Sequence, residues 1–100
     1  MKFLIRTHPK VLEFIEGLDK AKHARVDRIY YLFEEYGGFL PNKYLKKLNS
    51  EVWELRPGDV RLFLAIKGNM GYIVHGIYKK TQKTPNKDIK LARRRIIEGI

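Results

Sequence analysis

Hydrophobic positions in the first third of the chain recur at helical spacing. Over residues 9–18 apolar side chains return every third or fourth position, and a proline near the start suits the first helical turn. Asp19 can cap a second helix, whose apolar line over residues 26–33 lies opposite its charged positions, and Gly37 and Gly38 end it. Residues 2–6 are apolar at their centre and predict a first strand.

The second half of the chain has the shorter period of strands. Residues 51–56 alternate, residues 60–67 form a second strand-like run, and the intervening Pro57-Gly58 suits a type II turn. A glycine-bounded turn over residues 68–71 precedes a third run over residues 72–79. These three runs predict an antiparallel meander.

A last helix is predicted from its start signal and its apolar face. Thr84 can act as the cap and Pro85 can occupy the first helical position, and the apolar positions from Ile89 onward recur at helical spacing. The predicted fold is α+β in the order β-α-α-β-β-β-α. A twisted, mostly antiparallel sheet of about four strands packs against two N-terminal helices, with a C-terminal helix, and residues 1–100 form one domain.

Composition narrows the chemistry. The 100 residues include 21 Lys and Arg against 11 Asp and Glu, giving a net charge of +10, and no cysteine. Disulfides and thiolate chemistry are therefore excluded, and the three scattered histidines indicate neither a metal site nor a cofactor. The apolar runs are too short for a membrane span or a secretory signal, which predicts a cytoplasmic protein without a membrane partner. The positive charge favours a polyanionic partner such as nucleic acid.

Strand alternation suggests where such a partner binds. In residues 60–67, Arg61 shares its face with Phe63, and we expect this face to be open while Leu62 and Leu64 meet the helices. The same alternation in the neighbouring strands places four side chains on this face as a candidate catalytic cluster: Arg56, Arg61, His75 and Lys79. Guanidinium groups stabilise the charge that develops on a reacting phosphodiester, and RNA supplies its own 2′-hydroxyl nucleophile.

Structural explanations compete with this hypothesis. Arg56 and Glu54 can form an ordinary surface pair, and a single strand histidine such as His75 is more often structural than catalytic. Trp53 is expected in the core. Further basic groups are candidates for phosphate contacts on both sides of the open face: Lys43, Lys46, Lys47, Lys80, Lys83, Arg93 and Arg94.

The motifs at residues 52–56, 60–63 and 75–85 stand in an order that resembles the phage-derived HigB-type branch of the RelE/ParE toxin superfamily. The resemblance implies a RelE-like fold and an endoribonuclease toxin that cleaves messenger RNA in the ribosomal A site. It also implies an antitoxin of helix-turn-helix type, encoded beside the toxin. Arg56, Arg61 and the Lys79-Lys80 pair match the family's basic positions on the sheet face.

The resemblance does not decide which residues transfer protons or to which branch of the superfamily the chain belongs. Glu54 stands where RelE-like members have a Lys-rich strand, and the chain lacks their C-terminal Tyr. His75 or Lys79 is the candidate base, and Tyr78 or Lys80 is the candidate acid. The alternative functions are a ParE-like toxin that inhibits DNA gyrase by binding, or a nucleic-acid-binding module without activity.

Overall fold

The computed structural model describes residues 2–99, which form one five-stranded sheet and three α-helices. The elements follow in the order β1 (Leu4–Thr7), α1 (Pro9–Glu16), α2 (Lys20–Tyr36), β2 (Leu45–Lys47), β3 (Trp53–Leu55), β4 (Val60–Lys67), β5 (Met70–Tyr78) and α3 (Asn86–Gly99), with a short 3₁₀ turn at Gly37–Phe39. The strand order is β1-β5-β4-β3-β2, in which β1 is parallel to β5 and the other neighbours are antiparallel. The predicted α+β class is confirmed.

Local signals set the boundaries of the first two helices. Pro9 opens α1, and the His8 ring nitrogen Nδ1 accepts a hydrogen bond from the Lys10 amide at 3.1 Å. Asp19 caps α2 by accepting from the Lys22 amide at 2.9 Å. At its other end Gly37 adopts φ 55°, a left-handed conformation that side chains disfavour, and its amide bonds the Phe33 carbonyl.

The sheet is covered on both faces. On one face, α1 and α2 bury Val11, Val26 and Phe33 against a sheet surface that includes Leu62 and Leu64. On the other face, α3 packs mainly on β4 and β5. The second core consists of Val52, Phe63, Ala65, Tyr72, Val74, Ala92 and Ile96.

The second core corrects the prediction of an open sheet face. Phe63 has no exposed surface and Ala65 is 3% exposed, because α3 lies over them. The exposed positions on this face lie at the two edges of the sheet, at Lys46 of β2 and at Leu4 and Arg6 of β1. Trp53, expected in the core, packs against the α1/α2 core but is only partly buried.

Several predicted boundaries differ from the structure. The strand β2 was not predicted, so the sheet has five strands instead of about four. The strand predicted over residues 51–56 shortens to Trp53–Leu55, and β5 begins at Met70 because the turn before it needs only Gly68 and Asn69. Thr84 is not a helix cap, since its hydroxyl donates to Glu54.

A bulge in β5 explains why strand alternation wrongly predicts that Val74 and His75 lie on opposite faces of the sheet. The register passes from Phe63 opposite His75 to Leu64 opposite Ile73, which leaves Val74 without a partner in the ladder. Val74 therefore joins the α3 core beside His75, although strict alternation predicts opposite faces. The Val74 carbonyl accepts from Arg95 Nη1 at 2.9 Å, which satisfies the group exposed by the bulge.

No helix within residues 2–99 combines the length and the apolar character that crossing a membrane requires.

We expect Gly71→Ala to lower the free energy of unfolding by about 1–3 kcal/mol, as overpacking does. A Cβ at Gly71 lies 2.7 Å from the Phe33 ring and 3.3 Å from Leu64 Cδ1, and both side chains are fully buried and cannot move aside. Urea unfolding measures the change. Gly38→Ala is the control, because nothing lies within 4 Å of its Cβ position. Equal unfolding free energies for the two variants would contradict this packing.

Candidate nucleic-acid interface

One cross-strand row on the α3 side of the sheet organises the candidate site. Lys46 of β2 lies opposite Glu54 of β3, Glu54 opposite Phe63 of β4, and Phe63 opposite His75 of β5. Residues directly opposite in antiparallel strands share a face. The row therefore runs from the sheet edge, which α3 leaves uncovered, to the buried centre beneath α3.

Glu54 is the buried carboxylate in this row. Its side chain has no exposed surface, its Oε1 accepts from Arg56 Nε at 2.9 Å, and its Oε2 accepts from Thr84 Oγ1 at 2.7 Å. The pair of Arg56 and Glu54 considered from sequence is therefore formed, but its carboxylate is buried instead of lying at the surface. Glu54 is an internal charge that joins the end of β3 to the loop before α3.

Arg61 lies on the same face as Arg56, opposite Ile77 in the next row. Its Nη1 donates to the carbonyls of Gly58 at 2.7 Å and Val60 at 2.9 Å. Partial burial lowers the pKa of the Arg61 guanidinium, and the charge of Arg56 lowers it further, whereas Glu54 and Asp59 raise it. The two guanidinium groups are thus close enough for their charges to repel each other.

A cleft of about 210 Å³ opens beside this cluster, and we call it the basic cleft. Its walls come from β2 and the residue after it, from Arg56, from the loop of residues 79–85 (loop 79–85) and from the start of α3. The lining residues are Lys46, Lys47, Leu48, Arg56, Gln82, Lys83, Thr84, Asn86 and Ile89. Four of these residues are cationic and none is anionic, so the cleft is suited to an anion. The Lys47 ammonium itself lies over the Trp53 ring, 5.4 Å from the ring centroid.

His75 lies deeper in the fold than an open catalytic face implies. Its ring stacks on Phe63 with centroids 5.5 Å apart, and its Nε2 lies 2.8 Å from Asp88 Oδ1 of α3. The two polar side chains are only 14% and 13% exposed. Asp88 therefore holds one ring nitrogen of His75 beneath the first turn of α3.

The structure separates the remaining basic residues that were singled out from sequence. Lys80 lines a neighbouring groove of about 270 Å³ together with Asp88, and Lys79 is exposed where β5 ends. Arg93 is paired with Glu51 at 2.6 Å, and Arg94 is exposed on α3. The Nζ of Lys43 lies over the Tyr44 ring, 4.9 Å from the ring centroid. Of the candidates, Lys46, Lys47, Lys83 and Arg56 line the basic cleft together.

Sequence reasoning missed three polar groups at this site: the buried role of Glu54, its partner Thr84, and Asp88 as the partner of His75. The available signal was a carboxylate between two apolar residues in the middle of a short strand. A charge at such a position, if buried, needs specific partners. No group of three or more His, Asp or Glu side chains within residues 2–99 has an arrangement that could hold a metal ion.

Solved structures with this architecture define the class of fold. The chain superposes on RelE in the archaeal RelE–RelB complex from Pyrococcus horikoshii OT3 with a TM-score of 0.68 and 20% identity, over 79% of this chain and 97% of that one. It superposes on YoeB of the YoeB–YefM complex from Staphylococcus aureus with a TM-score of 0.61 and 16% identity, over 80% and 100%. It superposes on the Staphylococcus aureus YoeB dimer with a TM-score of 0.59 and 16% identity, over 81% of this chain and 99% of that one. The chain therefore has the fold of RelE and YoeB.

A family model gives the narrower assignment. The model described as Phage derived protein Gp49-like matches residues 13–96. The chain belongs to this phage-derived Gp49-like family. No curated protein sequence shows significant similarity to it.

We expect Asp88→Ala to lower the free energy of unfolding by about 1–3 kcal/mol, because it leaves the largely buried His75 Nε2 without its partner. Thermal or urea unfolding measures the loss. Lys87→Ala, at the exposed neighbouring position, is the control and should stay within about 0.5 kcal/mol of the wild type. A loss no larger than that of the control would show that the contact between His75 and Asp88 contributes nothing to folding.

Proposed function

We propose that this protein is the toxin of a type II toxin–antitoxin system and a ribosome-dependent, metal-independent mRNA endoribonuclease. The observation that carries the proposal is the pair Arg56 and Arg61 on one sheet face, beside a cleft whose charged lining is entirely basic. The HigB-type resemblance, the Gp49-like family and the RelE-like fold support it. A site of this kind contacts phosphates more than base edges.

The chemistry requires no nucleophile from the protein. The RNA 2′-oxygen loses its proton and forms a bond to the adjacent phosphorus, while the bond from phosphorus to the 5′-oxygen breaks and that oxygen gains a proton. Arg56 and Arg61 would stabilise the charge that grows on the non-bridging oxygens. Binding to the ribosome would align the RNA for this attack.

Groups at the end of β5 are the candidates for removing the proton from the 2′-oxygen and for supplying one to the 5′-oxygen. His75 and Lys79 are the candidates for the base. Of the two candidates for the acid, Tyr78 packs against Phe14 of α1 on the opposite side of the sheet, with ring centroids 5.4 Å apart. Lys80 lines the groove that contains Asp88, the partner of His75, and is the better placed of the two.

The proposed partners follow from the same assignment. Two of the similar structures are complexes, one of RelE with RelB and one of YoeB with YefM. We propose a neighbouring-gene antitoxin of helix-turn-helix type that neutralises this chain. We also propose that the chain acts on messenger RNA in the ribosomal A site, in the cytoplasm.

We expect Arg61→Ala and Arg56→Ala each to slow RNA cleavage by about 100-fold or more, since each removes a charge that stabilises the transition state. Primer extension on messenger RNA, with and without assembled ribosomes, locates the cuts. Wild-type cuts should fall within A-site codons and only when ribosomes are present.

Lys67→Ala is the control for these variants, because Lys67 is exposed at the far end of β4. This variant should cleave RNA like the wild type. Intact RNA under both conditions, with wild-type protein that still stops growth, would overturn the nuclease assignment. That outcome would favour inhibition of DNA gyrase by binding.

The salt dependence of RNA binding tests the basic cleft separately. Replacing Lys46, Lys47 and Lys83 together with Gln should reduce the slope of log affinity against log salt by about 2, because each single-strand phosphate contact contributes about 0.7. Fluorescence anisotropy with a short single-stranded RNA measures the slope. The control replaces the exposed Lys10, Lys20 and Lys67 with Gln, which changes the net charge equally. Equal slopes for both triple variants would place the RNA elsewhere.

A further inference from the structure

Glu54 is an unusual residue to find inside so small a fold. Among residues 2–99, no other polar or charged residue is buried. A buried ion pair can often be replaced as a whole by apolar side chains of similar volume without loss of stability. The presence of Glu54, paired with Arg56 beside the basic cleft, is therefore explained better by what its two hydrogen bonds hold in place than by stability.

The first hydrogen bond restrains the Arg56 side chain. Glu54 Oε1 accepts from Arg56 Nε, which is the inner nitrogen of the guanidinium group. Within the described part of the chain, no protein group accepts a hydrogen bond from the two terminal amino groups of Arg56. The side chain is 27% exposed and lines both the basic cleft and a groove of about 270 Å³ beside α2. This fork is the part of an arginine that binds a phosphate through two parallel hydrogen bonds.

The second hydrogen bond holds the opposite wall of the cleft. Glu54 Oε2 accepts from the hydroxyl of Thr84, 30 residues further along the chain. Thr84 belongs to loop 79–85, whose Gln82 and Lys83 line the same cleft as Lys46. One carboxylate therefore fixes the arginine and the loop relative to each other.

The charge of Glu54 also acts on the arginine pair. Arg56 lowers the pKa of Arg61, as expected for two neighbouring cations, and Glu54 raises it. The buried carboxylate thus offsets the repulsion between the two guanidinium groups. Both groups can then remain on one face in the absence of a bound anion.

We propose that Glu54 is a positioning residue that clamps Arg56 and Thr84 and so sets the geometry of a phosphate-binding site in the basic cleft. The inference rests on the proposed function for its RNA substrate, whereas the clamp itself is a property of the free protein. Glu54 acts through Arg56 and loop 79–85, since both of its oxygens are already occupied and it has no exposed surface.

The test replaces Glu54 with Gln, which keeps the size of the side chain but offers one oxygen acceptor where two are needed. Inorganic phosphate is titrated into the wild type and the variant, and the side-chain Nε–H signals of arginine are followed by NMR. We expect the affinity for phosphate to fall about tenfold, as for the loss of a hydrogen bond to a charged group. The Arg56 Nε–H signal should lose its protection from exchange with water. Unchanged affinity and protection would overturn the proposal.

A pair of variants at Thr84 tests the clamp if Glu54→Gln does not fold. Thr84→Val keeps the shape and removes the hydroxyl, and Thr84→Ser keeps the hydroxyl. We expect weaker phosphate binding for Thr84→Val and recovery for Thr84→Ser. Equal weakening by both variants would mean that the hydroxyl contributes nothing, which contradicts the clamp.

A double-mutant comparison separates positioning from general destabilisation. If Glu54 acts through Arg56, Glu54→Gln should weaken phosphate binding in the wild type but add little to Arg56→Ala. Additive losses would contradict the clamp. With RNA on ribosomes, we expect Glu54→Gln to lower kcat by about 100-fold, as for a misplaced group, with a smaller change in KM.

The phosphate titration keeps this proposal distinct from the proposed function. A wild-type protein that never cleaves RNA would overturn the nuclease assignment, while weakened phosphate binding by Glu54→Gln would still support the clamp. Conversely, a Glu54→Gln variant that cleaves RNA at the wild-type rate would overturn the positioning role and leave the nuclease assignment in place.

Discussion

The packing of two helical layers against the paired strands β4 and β5 is the constraint on which the rest of the structure depends. Alternate residues of these strands serve different layers, so that Leu62 and Leu64 meet α1 and α2 while Phe63 and Ala65 meet α3. Gly71 and Gly76 are needed where rings approach the sheet, since a Cβ at either position lies 2.7 Å from Phe33 or Phe14. The layers are held close, and neither can shift without opening a core.

The same packing decides where a ligand can reach the sheet. Because α3 packs mainly on β4 and β5, Lys46 stays exposed on the α3 side of the outermost strand β2. There the basic cleft opens, with Lys46 and Lys47 on one side and Lys83 on the other. Four cationic side chains and no anionic one line this cleft, which lies beside the pair Arg56 and Arg61.

Periodicity predicted the long elements because each buries a regular stripe. The spacing of apolar residues located α1, α2 and β4 closely, and the caps at Asp19 and Gly37 were read correctly. It missed β2, which has three residues of which two are exposed lysines. It also missed the parallel pairing of β1 with β5, because strand order is set by where the helical hairpin carries the chain. The bulge at Val74 is a tertiary feature, since the register changes to fit Phe63 and His75 beneath α3.

In the candidate site too, local periodicity predicts some features and tertiary contacts determine the others. Alternation placed Arg56 and Arg61 on one face because β3 and the first half of β4 pair without irregularity. Alternation did not indicate that Glu54, between those arginines and the core, has no exposed surface, because a strand carboxylate is expected in water unless a partner covers it. The covering partner, Thr84, comes from the loop before α3, and only the folded chain brings the two together. The residue types of the candidate phosphate site can thus be predicted from strand alternation, whereas the buried carboxylate that contacts Arg56 depends on contacts between distant segments.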